Sequence, residues 1–338
     1  MKQQYEFGQY LRERYINRTY QLLKPRYNSK EVYIRSTDVD RVLVSAQSNL
    51  AGMYPAGVPD IPSNQRWPRS WTPIPIHTVP KEDEYMGCIG TCPRVRILRD
   101  EIRAKAEKEP ETVELLKYLS TKTGWQMNLE KLRRLYNTYF VETIYNMTQP
   151  DWMTPELAEK IRPLADEEYR RMLGVSKDYS FETIRLLGGS TLKAVLMKLK
   201  QKASCHMKKA LPGKCANRNT LKYYAFSAHD FTITGMMSAL LAKEEAVRIS
   251  VPEYTASIAV ELWDIPHTGL AVKVLYRKGV GAIFEPITRR VSGCPKDTDF
   301  CPLTQFMKRS VPFLPKDIRK ECDFSKVNEE DIFDPTAL

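Results

Sequence analysis

Two short runs carry side chains whose types could do chemistry together. Arg35 lies in Tyr33-Ile34-Arg35-Ser36-Thr37-Asp38, and His229 and Asp230 close the run Ser227-Ala228-His229-Asp230. A guanidinium fork can hold a tetrahedral oxyanion such as phosphate through paired hydrogen bonds, and an imidazole can donate to the same group. A carboxyl group beside them can hand a proton to a leaving oxygen. Singly, each residue has a commoner structural use. A lone arginine at a strand end is more often an ion-pair partner, and a His-Asp pair a helix cap or a satisfied buried histidine. What sets these three apart is a shared position.

That position is the junction of a strand with a helix. Residues 31–35 are β-branched and aromatic and read as a buried strand. Ser36, Thr37 and Asp38 are all N-cap types, and a helix is expected to follow through about Met53. Residues 221–227 read as a second buried strand, feeding a helix from Thr232 to about Ala242. In an α/β sheet, ligands bind at the carboxyl ends of strands, and a helix N-terminus there favours an anion.

The remaining elements frame these junctions. Phe7, Tyr10, Leu11 and Tyr15 recur at helical spacing, so one helix is expected over Tyr5–Tyr20. Seven prolines in 55–80 predict an extended connector. The stretch from about 94 to 211 reads as helices at 94–108, 111–122, 128–145, 154–173 and 189–210. Residues 255–263 and 270–277 read as antiparallel strands joined around His267-Thr268-Gly269, and the tail from about 294 as mostly irregular. The layout is α/β, with a helical insertion.

Composition narrows the function classes. Hydrophobic residues make up 42% of the 338 and charged residues 28%, the profile of a folded soluble protein. No apolar run approaches the ~18 residues that span a bilayer, and the first fifteen residues contain no apolar core of a secretory signal. The net charge is +11, and residues 183–229 hold ten Lys or Arg, Lys198 and Lys202 among them, with no Asp or Glu. That stretch reads either as a polyanion patch or, more simply, as a solvated helix face and loop. It lacks interleaved aromatics across 193–214 and any nucleic-acid motif, so no nucleic-acid partner is expected.

Seven cysteines, at 88, 92, 205, 215, 294, 301 and 322, suit two or three disulfides plus a leftover thiol. Neither Cys205-His206 with Cys215 nor Cys88 with Cys92 supplies four convergent zinc ligands. Asn17 and Asn146 each open an Asn-x-Thr sequon. These secretory features sit on a chain without a secretory signal, and a missing N-terminal segment would explain that.

The runs VYIRSTDVDRVLVSAQSNLAGMYP, WTPIPIHTVP and YYAFSAHDFTITGMMSALL together resemble the histidine acid phosphatases, nearest the prostatic and lysosomal branch, over about 3–322. The resemblance implies an α/β fold with a mostly parallel sheet flanked by helices, formed by 1–80 and 215–338, with 81–214 as an inserted helical domain. It implies that Arg35 and His229 contact phosphate and that Asp230 protonates the leaving alcohol. The reaction implied is phosphomonoester hydrolysis through a phosphohistidine, with no metal or other cofactor and a small phosphomonoester as substrate. It further implies bridges Cys92–Cys322 and Cys294–Cys301, glycosylation near Asn17 and Asn146, a homodimer, and a secreted or lysosomal setting.

The departures carry equal weight. The family's nucleophile belongs to an Arg-His-Gly motif on the first strand, and no such motif occurs in this chain. His77, His206 and His267 do not replace it by motif. Met1 lines up inside the helix after that strand, so the chain is expected to be an incomplete record, inactive as it stands. Phe231 occupies a position where the family usually has Thr, and Val141 and Ser257 stand where relatives have Cys. Cys205 and Cys215 are additional and suit each other, which leaves Cys88 odd. The alternatives are a non-catalytic relative that binds phosphate, and a polyanion-binding module using residues 183–229.

Overall fold

Val32–Ser36 forms strand β1, and Tyr223–Ser227 forms strand β2 beside it in parallel. Their register sets Ile34 opposite Ala225, Arg35 opposite Phe226 and Ser36 opposite Ser227. The structure, a computed structural model, describes residues 1–17, 20–55, 73–80, 83, 84, 86, 92–207, 215 and 220–322. The other edge of β1 is taken by the connector. The His77 N–H donates to the Ile34 carbonyl at 3.0 Å, and the Ser36 N–H donates to the His77 carbonyl at 2.8 Å. Prolines at 73, 75 and 80 suit such an edge, where missing N–H groups cost little. Residues 56–72 of the connector lie outside the described residues.

Ser257–Ile265 (β3) and Gly269–Arg277 (β4) form the expected antiparallel pair, with His267 left-handed in the turn between them. β4 also pairs with Glu285–Pro286 (β5) and Cys301–Pro302 (β6), giving a four-stranded sheet separate from β1–β2. The α/β class therefore holds. β2 departs from the expected full burial: all five residues are half-buried. It has β1 on one edge and, among the described residues, no strand on the other; β3 is likewise paired on one edge only.

Two helices complete this part of the core. Lys2–Arg12 is α1 and Asp40–Met53 is α2. Their backbones nearly touch, since a Cβ on Gly8 would lie 1.9 Å from the Asn49 carbonyl oxygen, and one on Gly52 2.0 Å from that of Tyr5. The helix expected to reach Tyr20 instead widens into a π turn over Glu13–Asn17. Successive residues stand about 100° apart on an α-helix, and the wider turn lets Tyr15 and Ile16 both be buried. Phe7, Leu11, Tyr15, Val32, Ile34, Leu50 and Leu275 share one apolar cluster. α2 starts at Asp40, capped by Val39 without a side-chain bond, so the predicted capping hydroxyls serve elsewhere.

The chain divides into two compact units. The first takes Met1–Gly87, Thr191–Ile233 and Pro252–Val311, and the second takes Cys88–Ser190, Thr234–Val251 and Pro312–Leu338. The helices Pro93–Ala106 (α3), Pro110–Thr123 (α4), Leu129–Ile144 (α5) and Pro155–Met172 (α6) fall close to their predicted bounds. Proline at the first turn of α3, α4 and α6 and side-chain caps from Asn128 and Thr154 mark the starts. Leu119, Leu129, Leu132 and Ile161 centre their apolar core, and Arg103 and Arg171 share the buried Glu168 carboxylate.

Phe181–Met207 (α7) begins eight residues before the predicted start. Gly188 and Gly189 look like breakers in sequence but sit inside the helix. A Cβ at Gly188 would lie 1.8 Å from the Gly235 carbonyl oxygen, so the small residue serves close packing. Asp230–Leu240 (α8) follows β2, and Lys243–Ala246 (α9) is one short turn. The tail is more regular than expected, with helices Leu303–Ser310 (α10) and Ile318–Cys322 (α11) after β6. Among the described residues no helix is long and apolar enough to cross a membrane.

Candidate active site

β1 and β2 run parallel and in register, so Arg35 and His229 both stand at the carboxyl ends of neighbouring strands. Arg35 is buried at 6% exposure, one residue before β1 ends. His229 lies two residues beyond β2, and its Nε2 is 3.1 Å from Thr37 Oγ1. The Thr37 N–H in turn donates to the Ser227 carbonyl at 3.1 Å, which ties the two strand ends by backbone as well. The Ser36 hydroxyl donates to the Thr37 carbonyl. These hydroxyls, expected to cap α2, shape the junction instead.

The imidazole of His229 is closely enclosed. Phe231 stacks on it with ring centres 4.6 Å apart and planes 15° from parallel. The backbone N–H of His229 donates to Thr232 Oγ1, whose hydroxyl donates to the Met86 carbonyl. Burial, with the Arg41 charge as a second cause, pushes the His229 pKa down from 6.5 to about 4. The ring is therefore neutral across most of the acidic range. Asp230, by contrast, is exposed at the first turn of α8.

The guanidinium of Arg35 meets a carboxylate within the chain. Its Nη2 donates to Glu84 Oε1 at 2.9 Å, with side chains 7% and 9% exposed. Glu84 Oε1 also accepts the Met86 N–H at 2.8 Å, which fixes the carboxylate in place. Sequence reasoning missed Glu84; its only trace was an acidic run, Glu82-Asp83-Glu84, just past the connector.

Around Arg35 lies an aromatic row that also escaped the sequence reading. The His77 ring stacks on Tyr33 at 4.3 Å, and Tyr33 on Tyr224 at 4.9 Å. Lys198 Nζ sits 4.4 Å from the centre of the Tyr224 ring. Burial, then the nearby Arg35 charge, lowers the Lys198 pKa. Lys202 donates to the Leu221 carbonyl, and Lys222 pairs with Glu31 at 3.0 Å. Part of the basic stretch is thus engaged by the β1–β2 sheet and its flanks; Lys208 and Lys209 lie outside the described residues.

Other predicted residues lie away from this junction. His206 pairs with Asp264 at 2.9 Å on the surface, and His267 sits in the β3–β4 turn. Disulfides join Cys92 to Cys322, Cys205 to Cys215, and Cys294 to Cys301. Cys88 lies outside the described residues. Asn17 and Asn146 are both exposed. Among the described residues no group of three or more His, Cys, Asp or Glu is placed to hold a metal ion.

Comparison with known proteins identifies the family. The family model of the histidine phosphatase superfamily (branch 2) matches residues 1–277. Lysosomal acid phosphatase of Bos taurus is 32% identical over 333 residues, covering 96% of this chain and 71% of the relative. Prostatic acid phosphatase of Homo sapiens is 30% identical over 332 residues, covering 95% and 77%. Testicular acid phosphatase of Mus musculus is 31% identical over 330 residues, covering 93% and 70%. Among solved structures, the Hafnia alvei phytase in complex with tartrate superposes with TM-score 0.59 at 12% identity, covering 95% of this chain and 87% of its own. The Citrobacter braakii phytase gives 0.56 at 13% identity, with the same coverage. At such identities these structures speak to the fold alone. With a family model matched over most of its length and acid phosphatases as its relatives, the chain belongs to branch 2 of the histidine phosphatase superfamily.

Proposed function

We propose that the protein is an acid phosphatase-type phosphomonoester hydrolase in which Arg35 and His229 hold the phosphate and Asp230 protonates the leaving alcohol. The observation that carries this reading is the parallel pairing of β1 and β2, which sets Arg35 and His229 at adjacent strand ends, with His229 Nε2 3.1 Å from Thr37 Oγ1. Arg35 supplies the fixed positive charge. His229, neutral when free, supplies a directed hydrogen bond. Asp230, exposed at the mouth, is where a proton can be handed to a departing oxygen.

The family's phosphohistidine route requires a nucleophile, and the 338 residues contain no Arg-His-Gly motif to provide it. In this reading the chain as given binds a small phosphomonoester without turning it over. A non-catalytic phosphate-binding relative is the second reading, favoured by the same missing motif. A lysosomal setting accords with the name of the lysosomal acid phosphatase relative.

Calorimetry with inorganic phosphate tests the binding half. Arg35→Ala should weaken binding at least about tenfold, since it removes a charge-assisted contact of roughly 1.5–3 kcal/mol. Equal affinity in that variant would remove Arg35 from the site. In protein supplied with the family's Arg-His-Gly segment, turnover of an alkyl phosphate should fall about a hundredfold in Asp230→Asn. The loss should be smaller with p-nitrophenyl phosphate, whose leaving group needs little protonation. Equal losses for both esters would count against an acid role, and no turnover by the natural protein would favour the second reading.

A further inference from the structure

We infer that Phe231 is a positioning residue for His229: its ring fixes the imidazole plane and keeps water from one face, so that the site offers phosphate a neutral, oriented hydrogen-bonding group. The inference rests on the phosphate-site reading above for its purpose but not for its test.

The geometry is a flat stack. The two rings are 4.6 Å apart and 15° from parallel, within the range of offset-stacked aromatic pairs. Phe231 follows Asp230 in the first turn of α8, so the helix start itself carries the ring onto His229. Three further contacts hold the imidazole and its backbone. Thr37 Oγ1 lies at Nε2, Thr232 Oγ1 accepts the backbone N–H of His229, and Thr232 is anchored to the Met86 carbonyl. With one ring face covered and Nε2 engaged, rotation would break the stack and the Thr37 contact together.

Two effects of a neighbouring aromatic ring oppose each other. Its π face attracts a cation, which favours the protonated imidazole by about 0.5–1 kcal/mol at exposed sites. Its bulk excludes water, and desolvation shifts buried histidines down by up to several pH units. Burial leads the depression of the His229 pKa, and a ring stacked 4.6 Å away on one face adds to that burial. Among the described residues, Arg41 from α2 acts on the ring and disfavours a second positive charge. Asp230 is exposed and adjacent in sequence, and Arg35 with its partner Glu84 lies at the end of the neighbouring strand. Thr37 and Thr232 bring only hydroxyls. Phe231 is the large apolar group stacked against the ring, so its removal should rehydrate that face.

The test is a nitrogen-15 NMR titration of the imidazoles between pH 3.5 and 8. The chain has only four histidines, and the His229 resonances are assigned by their loss in His229→Gln. In the unaltered protein His229 should stay neutral to about pH 4, with ring protons displaced upfield by the Phe231 ring. Phe231→Thr should raise the midpoint by about one pH unit and abolish the upfield displacement, while Phe231→Tyr should keep both. If Phe231→Thr does not fold, Phe231→Leu provides the comparison, with loss of the ring displacement and a smaller rise. A midpoint that is the same with Phe, Thr and Leu in a folded protein overturns the inference. Because the titration uses no ligand, it stands apart from the phosphate reading. Added inorganic phosphate that leaves the His229 resonances unmoved would count against that reading alone.

Discussion

Before any phosphate arrives, the Arg35 guanidinium is already held by a carboxylate. The Arg35–Glu84 contact of 2.9 Å is nearly fully buried, so it is shielded from the solvent screening that weakens surface pairs. On the proposed function, an incoming phosphate would compete with Glu84 or share Arg35 with it, and the like charges of carboxylate and phosphate would oppose binding. Glu84→Gln should act in two directions. It leaves a buried guanidinium without its anion, lowering stability by about 3 kcal/mol or more, and it frees that guanidinium for phosphate. The thermal shift caused by adding inorganic phosphate should then be larger in Glu84→Gln than in the unaltered protein. An equal or smaller shift would mean that Glu84 holds Arg35 in position without competing for its ligand.

Among elements, the decisive contact is the approach of α1 to α2. Gly8 and Gly52 each face a backbone carbonyl at a distance no Cβ could occupy, so the two helices lie closer than side chains would permit. α2 follows directly from the β1 end that carries Arg35 and Thr37, which makes this contact a foundation of the site. Gly52→Ala should lower stability by about 2 kcal/mol through overpacking, read by urea denaturation, and should weaken phosphate binding as the α2 start shifts. A change below about 0.5 kcal/mol would show that the helices can part without cost. The open edges of β2 and β3 belong to the same scale. Tyr15 reaches both strands: its ring meets Tyr223 of β2 at 5.8 Å and its hydroxyl donates to Glu261 of β3 at 2.8 Å.

For the whole molecule, the half-buried imidazole of His229 links stability to pH. The folded protein keeps His229 neutral down to about pH 4, whereas an unfolded chain protonates it near the ordinary 6.5. Between those values unfolding takes up a proton, so stability falls as pH falls through this window. The contribution between pH 7 and pH 4.5 is about 2 kcal/mol. Carboxylates held in ion pairs add their own acid dependence, so the prediction concerns a difference. In His229→Gln, the loss of stability between pH 7 and pH 4.5 should shrink by about 2 kcal/mol, measured by urea denaturation. An unchanged pH profile would place the imidazole in water in the folded protein.

The sequence by itself determined the types and order of most elements and the residues at the two strand ends. Local sterics and side-chain periodicity set those features, as the near-predicted bounds of α3–α6 and the β3–β4 pair illustrate. It also marked Arg35 and His229 as a set, because the family runs around them are short and specific. Tertiary structure decided what those residues touch. Glu84 lies 49 residues from Arg35, and Thr37 192 residues from His229. It also turned Ile16 inward beside Tyr15 on a π turn, kept Gly188 inside a helix and left β2 half-buried. Such features depend on which surfaces meet after the chain closes. Burial and pairing between distant segments then outweigh local preference by more than any window of neighbouring residues records.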